Sequence, residues 1–184
     1  RSGALGCITL DLFAVLLGGA TAMLPVFARD ILMVGPEGLG IMRGAPAVGA
    51  AAVAFLMAWR PLETNVGPKM LWAVVGFGLA TIGFGLSTNF ALSVVLLALL
   101  GAADMISVSV RQSLIQLAPP DAMRGRVSSV SYIFISASNE LGDFEAGLMA
   151  RILGPQLAVM LGGGLAVGIS LLWMRLFPQL ANAD

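Results

Sequence analysis

Hydrophobic positions in this chain form long runs, with neither the alternation of a β-strand nor the single apolar stripe of a surface helix. A membrane-spanning α-helix needs about 20 consecutive apolar residues, because the hydrocarbon core of a bilayer is about 30 Å thick. Six such runs can be drawn, separated by short segments rich in proline, glycine and polar residues. The pattern predicts an all-α integral membrane protein with six transmembrane helices. They cover residues 4–27, 39–59, 70–86, 90–117, 127–153 and 156–177.

The composition agrees with this prediction and excludes several other classes of function. Of the 184 residues, 58% are hydrophobic and 11% are charged, whereas about 25% are charged in a typical soluble domain. A formal net charge of zero disfavours nucleic acid as a partner. The chain has no histidine and one cysteine, Cys7, so neither a metal site of the usual Cys/His kind nor histidine-based catalysis is expected. We therefore predict no enzyme activity, no cofactor and no metal.

The basic residues of the loops predict the orientation of the helices, since cytoplasmic loops carry an excess of Lys and Arg. With a cytoplasmic start, the inner side receives Arg1, Arg60, Lys69, Arg124, Arg126 and Arg175. The outer side receives Arg29, Arg43 and Arg151. Because six basic residues lie on the inner side and three on the outer side, the sequence predicts that both termini of the segment are cytoplasmic. The sequence opens on Arg-Ser-Gly and leads directly into an apolar run, so we expect it to be part of a longer chain.

Charged residues within the first and fourth spans require partners, because a charge at the centre of a membrane helix costs about 2.5–3.5 kcal/mol. Asp104 and Arg111 are seven residues apart and share one helix face, but lie about 10 Å from each other along the axis. Arg111 either snorkels to the cytoplasmic side or pairs with a buried acid. Asp11, early in the first span, either caps its helix or forms that pair. Asp11 and Arg111 are the predicted ion-pairing residues.

The fifth span carries a polar stripe along one helix face. Ser136, Asn139, Glu140 and Asp143 recur at i, i+3, i+4 and i+7, and Gly147 continues the face. Such a stripe suits a polar cavity between helices, where carboxylates can take up and release protons. Hydrogen bonds that only hold the bundle together are the alternative. The predicted residues for a substrate cavity or proton coupling are Asp104, Asn139, Glu140 and Asp143.

Several segments together resemble the C-terminal six-helix half of a major facilitator superfamily transporter, of the enterobactin-exporter-like efflux branch. They are LDLFAVLLGGATAMLPVFARDIL, GPEGLGIMRGAPAVGA, GAADMISVSVRQSLIQLAPPDAMRGRVSSV, SNELGDFEAG and GPQLAVMLGG. The resemblance covers essentially the whole chain. Transporters of this fold have two six-helix halves related by an axis along the membrane normal. The resemblance thus implies that an N-terminal six-helix half is missing here.

The resemblance implies a multi-pass protein of the bacterial inner membrane that exports small amphipathic molecules, siderophores or drugs, in exchange for protons. Transport would proceed by alternating access, with the substrate cavity between the two halves. Arg124 and Arg126 would then form a cytoplasmic gate loop, unless they are ordinary determinants of topology. Two other hypotheses remain open at this point. One is a six-helix protein that acts as a homodimeric transporter, and the other is a non-transporting membrane scaffold.

Overall fold

The computed structural model describes residue 9 and residues 19–61, 66–117 and 120–176, and this part of the chain is helical without strands. It contains six α-helices: α1 (Leu24–Val26), α2 (Gly35–Trp59), α3 (Val66–Leu86), α4 (Phe90–Leu117), α5 (Arg124–Leu153) and α6 (Pro155–Leu176). A 3₁₀ turn (Thr21–Met23) precedes α1, and a π-helical turn (Phe27–Ile31) follows it. A second 3₁₀ turn (Asp121–Met123) precedes α5.

The observed helices lie close to the predicted spans. Helix α4 has the predicted bounds, whereas α2 begins at Gly35 rather than Leu39 and α3 at Val66 rather than residue 70. Most of the predicted first span lies outside the described residues, and its described part is a series of short turns. An observed helix can be longer than the apolar run that predicts it, because the helical hydrogen bonds continue into polar residues at the ends of the run.

Four of the described helices are long and apolar enough to cross a membrane: Gly35–Trp59, Val66–Leu86, Phe90–Ser113 and Pro155–Leu176. Helix α5 spans Arg124–Leu153, which is long enough, but its polar side chains lower its hydropathy. The prediction of an all-helical membrane fold is therefore confirmed. Four helices are candidate membrane spans by length and composition, and the predicted number of six spans is not confirmed.

Glycine and proline set the boundary between α5 and α6. Gly154 ends α5 with a φ of 90°, a backbone conformation that residues with a Cβ rarely adopt. Pro155 then begins α6 at a position whose backbone N–H would have no helical acceptor. The chain can therefore reverse direction within one residue, and α5 and α6 pack side by side.

Two pairs of helices approach each other closely at glycines. A Cβ on Gly49 of α2 would collide with the carbonyl of Ala98 in α4, and one on Gly101 of α4 would collide with Pro46. In the second pair, a Cβ on Gly78 of α3 would lie 2.8 Å from the carbonyl oxygen of Gly163 in α6. Lipid gives helices no hydrophobic reason to associate, so such small residues bring backbones close enough for van der Waals packing.

A cluster of large side chains joins the short N-terminal turns to the helices. The ring of Phe27 stacks on that of Phe84 from α3, with centroids 4.5 Å apart, and both side chains are fully buried. Leu24, Met42 and Leu97 belong to the same cluster. Residues 20–28 are thus held against α2, α3 and α4, although they form no long helix of their own.

Helix α5 lies at the edge of this bundle. It packs mainly against α6, with smaller contacts to α4 and to the turn Thr21–Met23. Gly142 is the one buried residue of α5, a helix that the structure describes throughout. Large side chains of α5 are exposed, as Tyr132 (72%) and Phe144 (71%) illustrate. Most of the surface of α5 is therefore left for lipid, water or another protein segment.

Candidate functional site

A cavity of about 340 Å³ lies between α2, α4 and α5, next to the turn that begins at Thr21. Its polar lining consists of Thr21, Asp104, Asn139 and Asp143. Its apolar lining includes Pro46, Ala47, Phe77 and Leu100. The cavity thus combines two carboxylates and an amide with a largely hydrophobic wall.

Short side chains create the space at the wall formed by α2 and α4. Pro46, Ala47 and Ala50 face the cavity from α2, and Gly101 faces it from α4. Pro46 lies inside α2 and has no backbone N–H to donate to the preceding turn. Because the backbone at Pro46 packs directly against Gly101, this wall is fixed by contact between main chains.

Helix α4 supplies the first carboxylate. Asp104 is half-buried at the cavity. Ser107 and Arg111 follow on the same helix face and are buried, with exposures of 4% and 5%. The side chain of Arg111 therefore lies inside the bundle. Its predicted partner Asp11 lies outside the described residues, so the pairing of Asp11 with Arg111 stays a prediction.

Helix α5 supplies the second carboxylate and the amide. Asn139 and Asp143 are four residues apart, so they stand one above the other on a helix face, and both line the cavity. Glu140 is exposed and is not among the cavity-lining residues. One residue along a helix is a rotation of about 100°, which separates Glu140 from Asn139. The structure therefore brings Asp104, Asn139 and Asp143 together and leaves Glu140 at the edge.

Comparison with known proteins places this arrangement in a family. The profile of the family described as "Transmembrane secretion effector", a branch of the major facilitator superfamily, matches residues 8–184. The chain belongs to the major facilitator superfamily. It is 29% identical over 142 residues to the enterobactin exporter EntS of Citrobacter koseri, a match that covers 77% of this chain and 34% of that protein. The chain thus spans about a third of the length of the curated relative that it matches.

Family membership confirms the enterobactin-exporter-like resemblance and makes this a segment of a multi-pass membrane protein in a transporter family. In the superfamily, substrate sites lie near the middle of the membrane at the interface of repeated helix sets. The cavity lined by Asp104, Asn139 and Asp143 lies beside α5, most of whose surface is not covered by the residues that the structure describes.

The two arginines predicted for the cytoplasmic gate loop lie at a different place in the secondary structure. Arg124 and Arg126 belong to the first turn of α5, which begins at Arg124 rather than Val127. Both residues are exposed. Their role in gating stays a prediction, and any such role would act through the end of a helix instead of a flexible loop.

Sequence reasoning missed several features of the site. Thr21, Pro46 and Phe77 line the cavity, yet only the tertiary structure brings these sequence-distant positions together. Glu145 is half-buried and lines a separate pocket of about 120 Å³ between α5 and α6, with Gly142 and Gly162. The i+3/i+4 pattern of the polar stripe gave no signal for Glu145, because this residue faces away from Asn139 and Asp143.

The exposed residues near α1 contrast with the cavity. The guanidinium of Arg29 donates two hydrogen bonds to the carboxylate of Asp30, at 2.7 Å to Oδ1 and 3.0 Å to Oδ2. This contact holds the pKa of Asp30 below its usual value. Both side chains are largely exposed, so this ion pair lies in contact with solvent and not in a cavity.

Proposed function

We propose that the protein containing this segment is a secondary active exporter that moves small amphipathic molecules out of the cytoplasm in exchange for protons. The observation that carries the proposal is the cavity in which Asp104 of α4 faces Asn139 and Asp143 of α5. Polar and ionisable residues at membrane depth are costly and usually mark a substrate or proton pathway. A cavity that holds two such carboxylates beside apolar walls suits this kind of transport.

The lining of the cavity supports an amphipathic substrate. Phe77 and Leu100 offer apolar and aromatic contact, while Asn139 and the two carboxylates offer hydrogen-bond acceptors and one amide donor. Such a mixture is typical of small-molecule sites, which are mostly apolar with a few placed polar groups. The named relative is an enterobactin exporter, so a siderophore is one substrate class to test, and a drug-like molecule is the other.

We assign the proton-carrying role to Asp104 first and to Asp143 second. Asp104 is half-buried on a helix that is long and apolar enough to cross a membrane, whereas Asp143 is more exposed on α5. A carboxylate that loses water when the cavity closes is costly unless it is protonated or paired. Proton binding at Asp104 would therefore allow the empty carrier to change its state, and proton release would follow opening to the cytoplasm.

Alternating access requires a second wall for the cavity. We propose that an N-terminal six-helix half covers the polar face of α5, including Glu140, so that the substrate lies between the halves. Both termini of this segment would be cytoplasmic in a bacterial inner membrane. Arg124 and Arg126, at the start of α5, would then lie at the cytoplasmic mouth of the cavity.

A homodimer is the second candidate, because the same uncovered face of α5 could be covered by another copy of this chain. The reading frame upstream of Arg1 separates the two arrangements. Six further spans there would support the two-half transporter, and their absence would support the homodimer. A scaffold without transport activity would need neither arrangement, and it is disfavoured because it has no use for carboxylates in a cavity.

The decisive experiment uses the full-length protein in inside-out membrane vesicles. An acidic vesicle interior should drive uptake of the substrate, and Asp104→Asn should reduce this uptake to background. Exchange of labelled for unlabelled substrate without a pH gradient should persist in Asp104→Asn, because the amide keeps the size and polarity of the site. Glu37→Gln is the matched control, since Glu37 is an exposed acid in the first turn of α2.

The result that contradicts proton coupling is full uptake by Asp104→Asn under the pH gradient. A variant that loses both uptake and exchange, while remaining folded, would instead assign Asp104 to substrate binding. The substrate itself is sought by comparing the cellular accumulation of catecholate siderophores and common antibiotics with and without the full gene. Equal accumulation of every compound would remove the exporter proposal and favour the scaffold.

A further inference from the structure

A second concave surface, separate from the cavity, runs along the outside of α3 and α4. This groove of about 740 Å³ is lined by residues such as Lys69, Trp72, Leu79, Leu96, Leu99 and Ile106. The cavity uses different positions on α4, namely Leu100, Gly101 and Asp104. The groove therefore lies on another side of α4, and the proposed transport cycle does not use it.

Small residues between large ones shape the groove. Gly76, Ala102 and Ala103 form part of its lining, with Trp72 and Leu99 among its larger side chains. A Cβ placed on Gly76 would meet no atom of the described part of the chain within 4 Å, so these residues leave the space above Gly76 open. Trp72 is 66% exposed and Leu99 is 55% exposed. Another molecule can therefore contact the groove along its length.

The length of the groove matches one leaflet of a bilayer. From Lys69 to Ala80 along α3, and from Leu96 to Ile106 along α4, the lining covers about 15 Å, at 1.5 Å per residue. One leaflet contributes about half of the 30 Å hydrocarbon thickness, which is also about 15 Å. The groove thus has room for a chain that enters at the membrane surface and ends near the membrane centre.

The end of the groove at Lys69 is positively charged. Lys69 belongs to the first turn of α3, where the helix N-terminus contributes further positive partial charge. An ammonium has three hydrogen-bond donors and can serve more than one acceptor. Trp72 lies about one turn deeper, and tryptophan rings prefer the level of the lipid headgroups. The positive end of the groove therefore lies where a headgroup phosphate would be.

We propose that this groove binds a phospholipid with a net anionic headgroup, whose phosphate contacts Lys69 and whose acyl chain lies along Gly76 and Leu99. Charge complementarity selects the headgroup, and the apolar lining selects the chain. A water-soluble anion has no apolar part to fill the groove, and a lipid without net negative charge gains less from Lys69. The bound lipid would belong to the leaflet on the side where α3 begins and α6 ends.

Native mass spectrometry of the full-length protein tests the proposal, with dioleoylphosphatidylglycerol and dioleoylphosphatidylcholine titrated separately. We expect the anionic lipid to bind more tightly, and Lys69→Gln to weaken its binding about fivefold, as for one basic residue near a headgroup. Gly76→Leu should weaken the binding of both lipids, because the added side chain would occupy space in the groove where the acyl chain lies.

Two control variants match these changes. Arg175→Gln removes an exposed charge in the last turn of α6, on the same side of the membrane, and lies outside the groove. Gly164→Leu adds the same side chain at an exposed glycine of α6 where a Cβ also meets no neighbour. Equal binding of both lipids by the unchanged protein would overturn the proposal. The proposal would also be overturned if the control variants lost as much lipid binding as Lys69→Gln and Gly76→Leu.

Discussion

Helices α3 and α5 differ in where they find their partners. Half of the most hydrophobic 18-residue window of α3 is buried within this chain, against α4 and α6. Helix α5 is longer but has one buried residue, Gly142, although the structure describes all of it. Helix α3 carries its one charge, Lys69, in its first turn, whereas α5 carries Glu140 and Asp143 in its middle.

The difference assigns separate tasks to the two helices. Helix α3 belongs to a packed unit, held to α6 by close contacts such as Gly78 with Gly163. Helix α5 presents a polar face that lipid alone would not stabilise, because charges in hydrocarbon are costly. Within this pair, α3 contributes mainly to packing, whereas α5 contributes polar side chains to the cavity. Substitutions in each should have different consequences.

The largest effect on stability is expected from Gly49→Val, at the contact between α2 and α4. The new side chain would collide with the carbonyl of Ala98, a backbone atom that cannot move aside without shifting α4. We expect a loss of about 3 kcal/mol, at the upper end for overpacking. The measurement is the yield of monodisperse protein after extraction and its thermal unfolding midpoint.

Gly147→Val is the control for that substitution, because a Cβ at Gly147 of α5 meets no atom of the described residues within 4 Å. Its unfolding midpoint should stay close to that of the unchanged protein. If both variants lose stability equally, α5 is packed as tightly as α2 and α4, and the contrast between the helices is wrong.

A smaller but specific effect is expected from cysteine labelling on α5. Asn139→Cys and Phe144→Cys place thiols on different sides of the same helix, and both positions are exposed within this chain. In a protein whose native Cys7 has been replaced, a membrane-impermeant maleimide should react several-fold faster with Asn139→Cys. The reason is that the cavity admits water, whereas lipid covers Phe144 and keeps the thiol from ionising.

Equal labelling rates would contradict this assignment of the two faces. If neither thiol reacts, the face at Asn139 is dry and the cavity is not a water-filled pathway. If both react equally, Phe144 does not face lipid and α5 lies inside a larger aqueous space. Labelling in the presence of excess substrate sharpens the result, since substrate should protect Asn139→Cys and leave Phe144→Cys unaffected.

The smallest effect is expected from Ser170→Ala in the packed unit. The Ser170 hydroxyl is buried and donates a hydrogen bond of 3.1 Å to the carbonyl oxygen of Leu71, which links α6 to α3. Interhelical hydrogen bonds in membranes average about 0.6 kcal/mol, so the loss of stability should be of that order. Unfolding in mixed detergent measures it.

Ser113→Ala provides the comparison for Ser170→Ala. The exposed Ser113 hydroxyl donates to the carbonyl oxygen of Ser109 in its own helix, at 3.0 Å, and links no two helices. Its removal should cost less than the removal of the Ser170 hydroxyl. A larger loss of stability in Ser113→Ala than in Ser170→Ala would show that packing between α3 and α6 does not depend on the hydrogen bond from Ser170 to Leu71.

Hydropathy predicted the helices well and the cavity in part. Helix α4 has the predicted bounds because its apolar run lies between the polar residues Ser87–Asn89 and the helix-breaking Pro119-Pro120. The polar stripe of α5 was visible from its spacing, and two of its residues, Asn139 and Asp143, line the cavity. Glu140 was predicted with them, but it does not line the cavity, because neighbouring residues on a helix point in directions about 100° apart.

The sequence by itself determined a helical membrane protein and which helix faces carry polar groups, because these depend on local composition and period. Its family followed from the resemblance of whole segments to known transporters and from the family profile that matches residues 8–184. Only the tertiary structure decided that Asp104 lines the same cavity as Asn139 and Asp143, and that Glu145 lines a separate pocket beside α6. It also decided that α2 and α4 touch at Gly49 and Gly101. Helix rotation and neighbour choice come from packing between distant segments, which no local pattern encodes.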